Sequence, residues 1–220
     1  MSELDNRRPL ASRRTPWAQQ AAAALAKAGA SPNAISALSV AFAVFGGAAL
    51  AISGVIPGWT RSLALILAAA AVQGRLVCNL LDGMVATEHG LGDSSGPIWN
   101  ELPDRFSDAL FFAGAGYGAA GLGQEAGAAL GWMVAVGAIL TAYVRELGRG
   151  LGQPADFSGP MAKQHRMAAL TLTCLASALE PLWHGHGELI LLGLVVVLVG
   201  TAWTLVRRVR NLAAGLARGA

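Results

Sequence analysis

With 54% hydrophobic and 13% charged residues, this 220-residue chain carries about half the charge of a soluble domain. Its mean hydropathy of +0.50 excludes an ordinary soluble fold and sets the chain in a bilayer. The net charge of +3 arises without a basic run interleaved with aromatics, which speaks against a nucleic-acid surface.

The first sixteen residues are polar and arginine-containing, with no apolar stretch or cleavage site, so no cleaved signal peptide is expected. Residues 17–29 suit a short interfacial helix with Trp17 at headgroup level, or a plain helical leader. A spanning helix needs about 20 mostly apolar residues. That length predicts an all-α, polytopic bundle with six spans near 33–53, 62–86, 104–123, 126–147, 165–183 and 187–207. No repeat or linker divides it, so 1–220 reads as one domain, with 1–30 as a cytoplasmic or interfacial N-terminal segment.

Ser31-Pro32-Asn33 opens the first span with a cap residue before a proline that fits the first helical turn. The second span ends in a polar stripe: Asn79, Asp82, Gly83 and Ala86 fall at i, i+3, i+4 and i+7, and Arg75 lies one turn earlier on the same face. Ser95-Gly96-Pro97 repeats the start signal before the third span, where Asn100, Asp104 and Asp108 recur every four residues. A carboxylate at membrane depth is costly unless paired, hydrated or metal-bound, so two facing polar stripes mark the functional site. The 28 glycines suit close helix packing in lipid. Cys78 and Cys174, in separate spans with no metal-type or redox-type neighbour, read as packing residues. His184 and His186 near Glu180 and Glu188 form a weak opportunistic metal cluster in the last loop.

Orientation follows from the basic residues. Arg7, Arg8, Arg13, Arg14, Lys27, Arg145, Arg149, Lys163, Arg166, Arg207, Arg208, Arg210 and Arg218 collect on the side of both termini, and only Arg61 clearly falls opposite. The asymmetry puts the termini and the loops at 87–103 and 148–164 in the cytoplasm, with the polar stripes meeting at the cytoplasmic leaflet of a bacterial inner membrane.

These residues resemble the CDP-alcohol phosphotransferase (CDP-alcohol phosphatidyltransferase) family, whose pattern is D-x2-D-G-x2-A-R-x8-G-x3-D-x3-D. Laid on this chain without gaps it falls on Asn79, Asp82, Gly83, Ala86, Thr87, Gly96, Asn100 and Asp104, and five of the eight positions match in type. The segments S-P-N-A-I-S at 31–36, Y-V-R-E-L-G-R at 143–149 and G-P-M-A-K-Q-H-R at 159–166 also look like family segments, in the expected order.

The resemblance implies a six-helix membrane fold, commonly a homodimer. It also implies an enzyme of phospholipid synthesis that moves a phosphoalcohol group from a CDP-linked donor, usually CDP-diacylglycerol, to an alcohol acceptor and releases CMP. By the same resemblance, Asn79, Asp82, Asn100 and Asp104 are the metal positions for Mg²⁺ or Mn²⁺, and Asp104 is the general base. Three departures stand out: Asn79 and Asn100 replace aspartates, and Thr87 replaces an arginine. A shifted register would instead make Asp104 and Asp108 the two acids.

The residue chemistry agrees with that reaction. A diphosphate accepts a nucleophile only when its phosphoryl charge is neutralised, and hard oxygen ligands suit Mg²⁺ or Mn²⁺. Gly83 and Ala86 leave room for a nucleotide against the helix, while Arg75, Arg105, Lys163 and Arg166 are candidates to hold phosphate. The competing reading is a catalytically silent relative, or a small transporter with a polar intramembrane site.

Overall fold

The computed structural model describes residues 11–92 and 94–219, which leaves Arg7 and Arg8 outside the described residues. A short 3-10 turn, Ala11–Arg14, leads into seven α-helices: α1 (Pro16–Lys27), α2 (Pro32–Ile52), α3 (Gly58–Glu88), α4 (Gly96–Gly121), α5 (Gly127–Gly150), α6 (Lys163–Ser177) and α7 (Glu188–Gly219). No strand occurs among the described residues.

Helix starts follow local chemistry. At α2 the Ser31 hydroxyl accepts from Ala34 N at 3.2 Å, with Pro32 in the first turn. At α4, Pro97 takes the same place, but Ser95 makes no cap bond and its Oγ instead accepts from Asn33 Nδ2 at 3.2 Å, tying the starts of α2 and α4 together. The helix expected over 17–29 is α1, which buries Ala18 and Ala22 in a cluster with Cys78, Leu81 and Val85 of α3 and leaves Trp17 exposed.

Six helices close a ring. α2 packs between α3 and α4, α4 meets α5, α5 meets α7, α7 meets α6, and α6 returns to α3. Close approach depends on glycine. A Cβ on Gly114 of α4 would stand 2.3 Å from Gly47 O of α2, and one on Gly118 would stand 2.3 Å from Leu50 O. On the other side of α4, a Cβ on Gly116 would meet Gly127 O at 2.6 Å. Small residues thus let α4 press its backbone against two neighbours, as packing in lipid requires.

Four helices, α2, α3, α5 and α7, are long and apolar enough to cross a membrane. They carry exposed Phe45, Leu63, Trp132, Val199 and Trp203 on the outside of the ring, a surface suited to lipid. The other two expected spans fall short on composition or length. α4 has 26 residues but holds Glu101, Asp104, Arg105 and Asp108 in its first half, and α6 has only 15. The predicted span at 165–183 ends early, at Ser177, where Pro181 has no N–H to offer the Ser177 carbonyl, and a 3-10 turn, Glu180–Trp183, follows. Beyond the predicted end at 207, α7 continues through Arg207, Arg208, Arg210 and Arg218.

At the end away from the polar stripes, Arg61 Nη2 donates to Glu180 Oε2 at 2.6 Å, and both side chains are buried. Glu180 also accepts from Gly187 N at 3.0 Å and Leu189 N at 2.8 Å. This carboxylate is therefore a structural staple, and among the described residues no group of three or more His, Cys, Asp or Glu is placed to hold a metal. The weak His184 and His186 cluster in this loop finds no support there. Cys78 and Cys174 are buried and unpaired, as packing residues should be.

Candidate active site

The helix spacing that put Asn79 and Asp82 on one face of α3, and Asp104 on one face of α4, brings these side chains together where α3 ends and α4 begins. The two backbones touch at few points there, and the gap is bridged by side chains. Arg75 Nη2 of α3 donates to Asp104 Oδ1 of α4 at 2.7 Å, and Arg105 Nη2 reaches Asp104 Oδ2 at 3.4 Å. Lys163, the first residue of α6, completes the bridge: its ammonium donates both to Asn79 Oδ1 and to Asp104 Oδ2. Three cations therefore converge on one carboxylate.

Asp82 has a different environment. Only 2% exposed, it accepts from Ser36 Oγ of α2 at 2.5 Å through Oδ2, while Oδ1 is buried with no partner among the described residues. A buried carboxylate oxygen without a donor costs free energy unless a cation or donor meets it, so Oδ1 marks a place for a ligand. Ser36 was not singled out as a site residue in the sequence, although it closes the 31–36 segment.

Beside Asp82, Gly83 is buried, and among the described residues a Cβ built on it would meet only Arg13 Nη2, at 3.8 Å. Arg13, from the N-terminal segment, lies over this spot and was read from sequence only as an orientation signal. Ala86 is half-buried on the next turn, and its carbonyl accepts from Gly92 N at 3.1 Å. Thr87 turns back on its own helix, donating through Oγ1 to Gly83 O at 2.7 Å, and so does not supply the charge of the arginine it replaces.

Not every candidate joins the cluster. Asn100 is exposed at the start of α4. Asp108 is fully buried one turn beyond Asp104, where its Oδ2 accepts from Arg166 Nη2 at 2.7 Å. Arg166 is itself 2% exposed, and its Nη1 donates to Met161 O at 3.0 Å and Thr141 Oγ1 at 3.3 Å. This pair ties α4, α5 and α6 together, and Asp108 Oδ1, like Asp82 Oδ1, is buried with no partner among the described residues. Glu101 binds Arg145 of α5 at the rim, and His165 is exposed.

The donor set fits a single hard cation better than two. Asp82 and Asp104 are carboxylates, Asn79 offers a neutral carbonyl, and only Asp82 Oδ1 is unclaimed. Oxygen donors of this kind suit Mg²⁺ or Mn²⁺.

No family model matches the sequence, and no curated protein is found similar to it. Similar folds occur among crystal structures of Mycobacterium tuberculosis phosphatidylinositol phosphate synthase. In complex with CDP-DAG that protein matches with a TM-score of 0.76 at 20% identity, over 90% of this chain and 94% of the other. In complex with manganese and citrate it matches with a TM-score of 0.71 at 19% identity, over 89% and 88%. The apo form gives 0.67 at 20%, over 89% and 94%. This chain has their fold.

Proposed function

We propose that this chain is a CDP-alcohol phosphatidyltransferase of phospholipid synthesis, which transfers a phosphatidyl group from CDP-diacylglycerol to an alcohol and releases CMP. The observation that carries the reading is the convergence of Asp82 and Asp104 across the α3–α4 gap, with Asp82 Oδ1 buried and without a partner among the described residues. The shared fold with a synthase solved in complex with CDP-DAG supports it. The proposed setting is the inner membrane, with six membrane-embedded helices, the site at the cytoplasmic leaflet and a homodimeric assembly.

In this mechanism Asp82, through Oδ1, would hold Mg²⁺ or Mn²⁺, while the Lys163 ammonium bridges the Asn79 and Asp104 oxygens beside it. The cation supplies neutralisation of the diphosphate and of the departing CMP. Ser36 fixes the Asp82 carboxylate, and the Gly83–Ala86 face lets the nucleotide lie against α3. Arg13, Arg105 and Lys163 provide cationic groups around the phosphates. Asp104 is the carboxylate proposed to take the acceptor hydroxyl proton; in a loose transition state that proton becomes acidic as the new P–O bond forms, so a modest base is enough. Asp108 and Arg166 act as positioning residues.

A catalytically silent relative is the competing reading, favoured by the Lys163 ammonium seated between Asn79 and Asp104. The test is product analysis by mass spectrometry after incubating the purified chain with CDP-diacylglycerol, Mg²⁺ and a panel of alcohols. A new phospholipid and equimolar CMP with one acceptor support the transferase. No product with any acceptor, despite donor binding, supports the silent relative.

A further inference from the structure

Resting on the phosphotransferase reading, we propose that Lys163 is a built-in second cation of the site: the chain takes one divalent ion, at Asp82, and its own ammonium fills the other cationic position. Phosphoryl-transfer sites commonly use a pair of metal ions, one on each side of the displacement. Such a pair needs several carboxylates to offset four positive charges. Here Asn79 is neutral, Asn100 is exposed, and the described residues bring no third acid to Asp82 and Asp104. The bridging place between α3 and α4, where one cation would touch both helices, is taken by Lys163 through Asn79 Oδ1 and Asp104 Oδ2.

Lys163 is anchored at its base. Ala162 before it is buried, Met161 N donates to Thr204 Oγ1 of α7 at 3.0 Å, and Met161 O accepts from Arg166 Nη1 at 3.0 Å. The buried Arg166–Asp108 pair at 2.7 Å locks this turn to α4. The neutral Asn79 fits the arrangement, because its carbonyl accepts from an ammonium without adding a charge that would recruit a second metal. Lys163 thereby becomes a phosphate-binding cation whose charge is present before substrate arrives.

The experiment is Mn²⁺ binding to the purified full chain in detergent, with stoichiometry from titration and electron paramagnetic resonance, and it needs no turnover. The wild type is expected to bind one Mn²⁺ per chain with an uncoupled six-line spectrum. Lys163→Met should bind Mn²⁺ at least about tenfold more tightly, because a neighbouring positive charge is gone. Lys163→Met combined with Asn79→Asp should take up two ions with an exchange-coupled spectrum, whereas Lys163→Arg should stay at one. Two coupled ions in the wild type, or in Lys163→Arg, would overturn the lysine's role and leave the transferase reading standing. No Mn²⁺ binding to the wild type would overturn both. Because the wild-type stoichiometry alone can refute the proposal, a poorly folding variant does not shield it.

Discussion

Asp82 and Asp108 each have one carboxylate oxygen bonded and the other buried without a partner among the described residues, but Asp108 is bonded by a guanidinium and Asp82 by a hydroxyl. Asp108 is fully buried against Arg166, so removing the guanidinium leaves an uncompensated charge. Arg166→Met should cost about 3–5 kcal/mol of stability, and adding Asp108→Leu should recover much of it. Thermal unfolding of the two variants in detergent checks this, and a milder loss in the single variant than in the double would count against the pair as a tie. Asp82 is instead held by Ser36, which fixes one carboxylate oxygen and leaves the other available. Ser36→Ala should therefore weaken Mn²⁺ binding by about 10–100-fold with little change in unfolding temperature. Helical spacing placed Asn79, Asp82 and Asp104 on their faces, and the family resemblance made them site candidates. Neither Ser36 nor the Asp108–Arg166 pairing was visible that way. Spacing along one helix tells which side chains share a face, but not which residue dozens of positions away meets them.

Among the elements, α4 depends most on what surrounds it. Its glycines approach backbone carbonyls so closely that a Cβ on Gly114 must move α2 away from α4. Gly114→Ala should cost about 1–3 kcal/mol, read as a lowered unfolding temperature, while Gly96→Ala, at an open position, should not. Glycine content announced close packing, but which helix meets which glycine depended on the ring order. The loop between α5 and α6 is tied down differently. Asp156 Oδ1 accepts from Ser158 N at 2.7 Å and Oδ2 accepts from Asn211 Nδ2 of α7 at 2.9 Å. Burial alone would raise the pKa of this carboxyl. The hydrogen bonds from Ser158 and Asn211 outweigh burial and hold it below the usual carboxylate value. With a depressed folded-state pKa, its stabilisation is present above the ordinary value near 3.9 and is lost as pH falls through the lowered one. Protease cleavage in the 151–162 loop should accordingly rise only in strongly acidic buffer, and Asp156→Ala should show that sensitivity already at neutral pH.

For the molecule as a whole, hydropathy pointed to a membrane protein of packed helices, and the motif resemblance pointed to a fold shared with the synthase structures. The count of spans is where composition falls short. α4 carries its acids into the bundle because Arg75, Arg105, Lys163 and Arg166 compensate them there, and a sequence window sees the charges without the partners. α6 is short because its work is to present Lys163 at one end, while the Glu180 staple closes the other. Arg208 shows the same limit: it was read as an orientation signal, yet it is buried and donates to Thr141 O at 2.8 Å and Ser158 O at 3.0 Å. Orientation itself is open to a direct check. Cysteine introduced at exposed Gln164 should be labelled only from the cytoplasmic side in spheroplasts and inverted vesicles, and labelling from the outside would invert the topology.

Asp82 and Asp104 are proposed to form a metal-assisted site for a CDP-linked lipid. The most direct test is CMP release from CDP-diacylglycerol by the purified chain with an alcohol acceptor, measured with Mg²⁺, with chelator, and in the Asp82→Ala variant. The wild type should release CMP with Mg²⁺, with none released in chelator or after Asp82→Ala. Equal release by wild type and Asp82→Ala, or full turnover in chelator, would contradict the proposal.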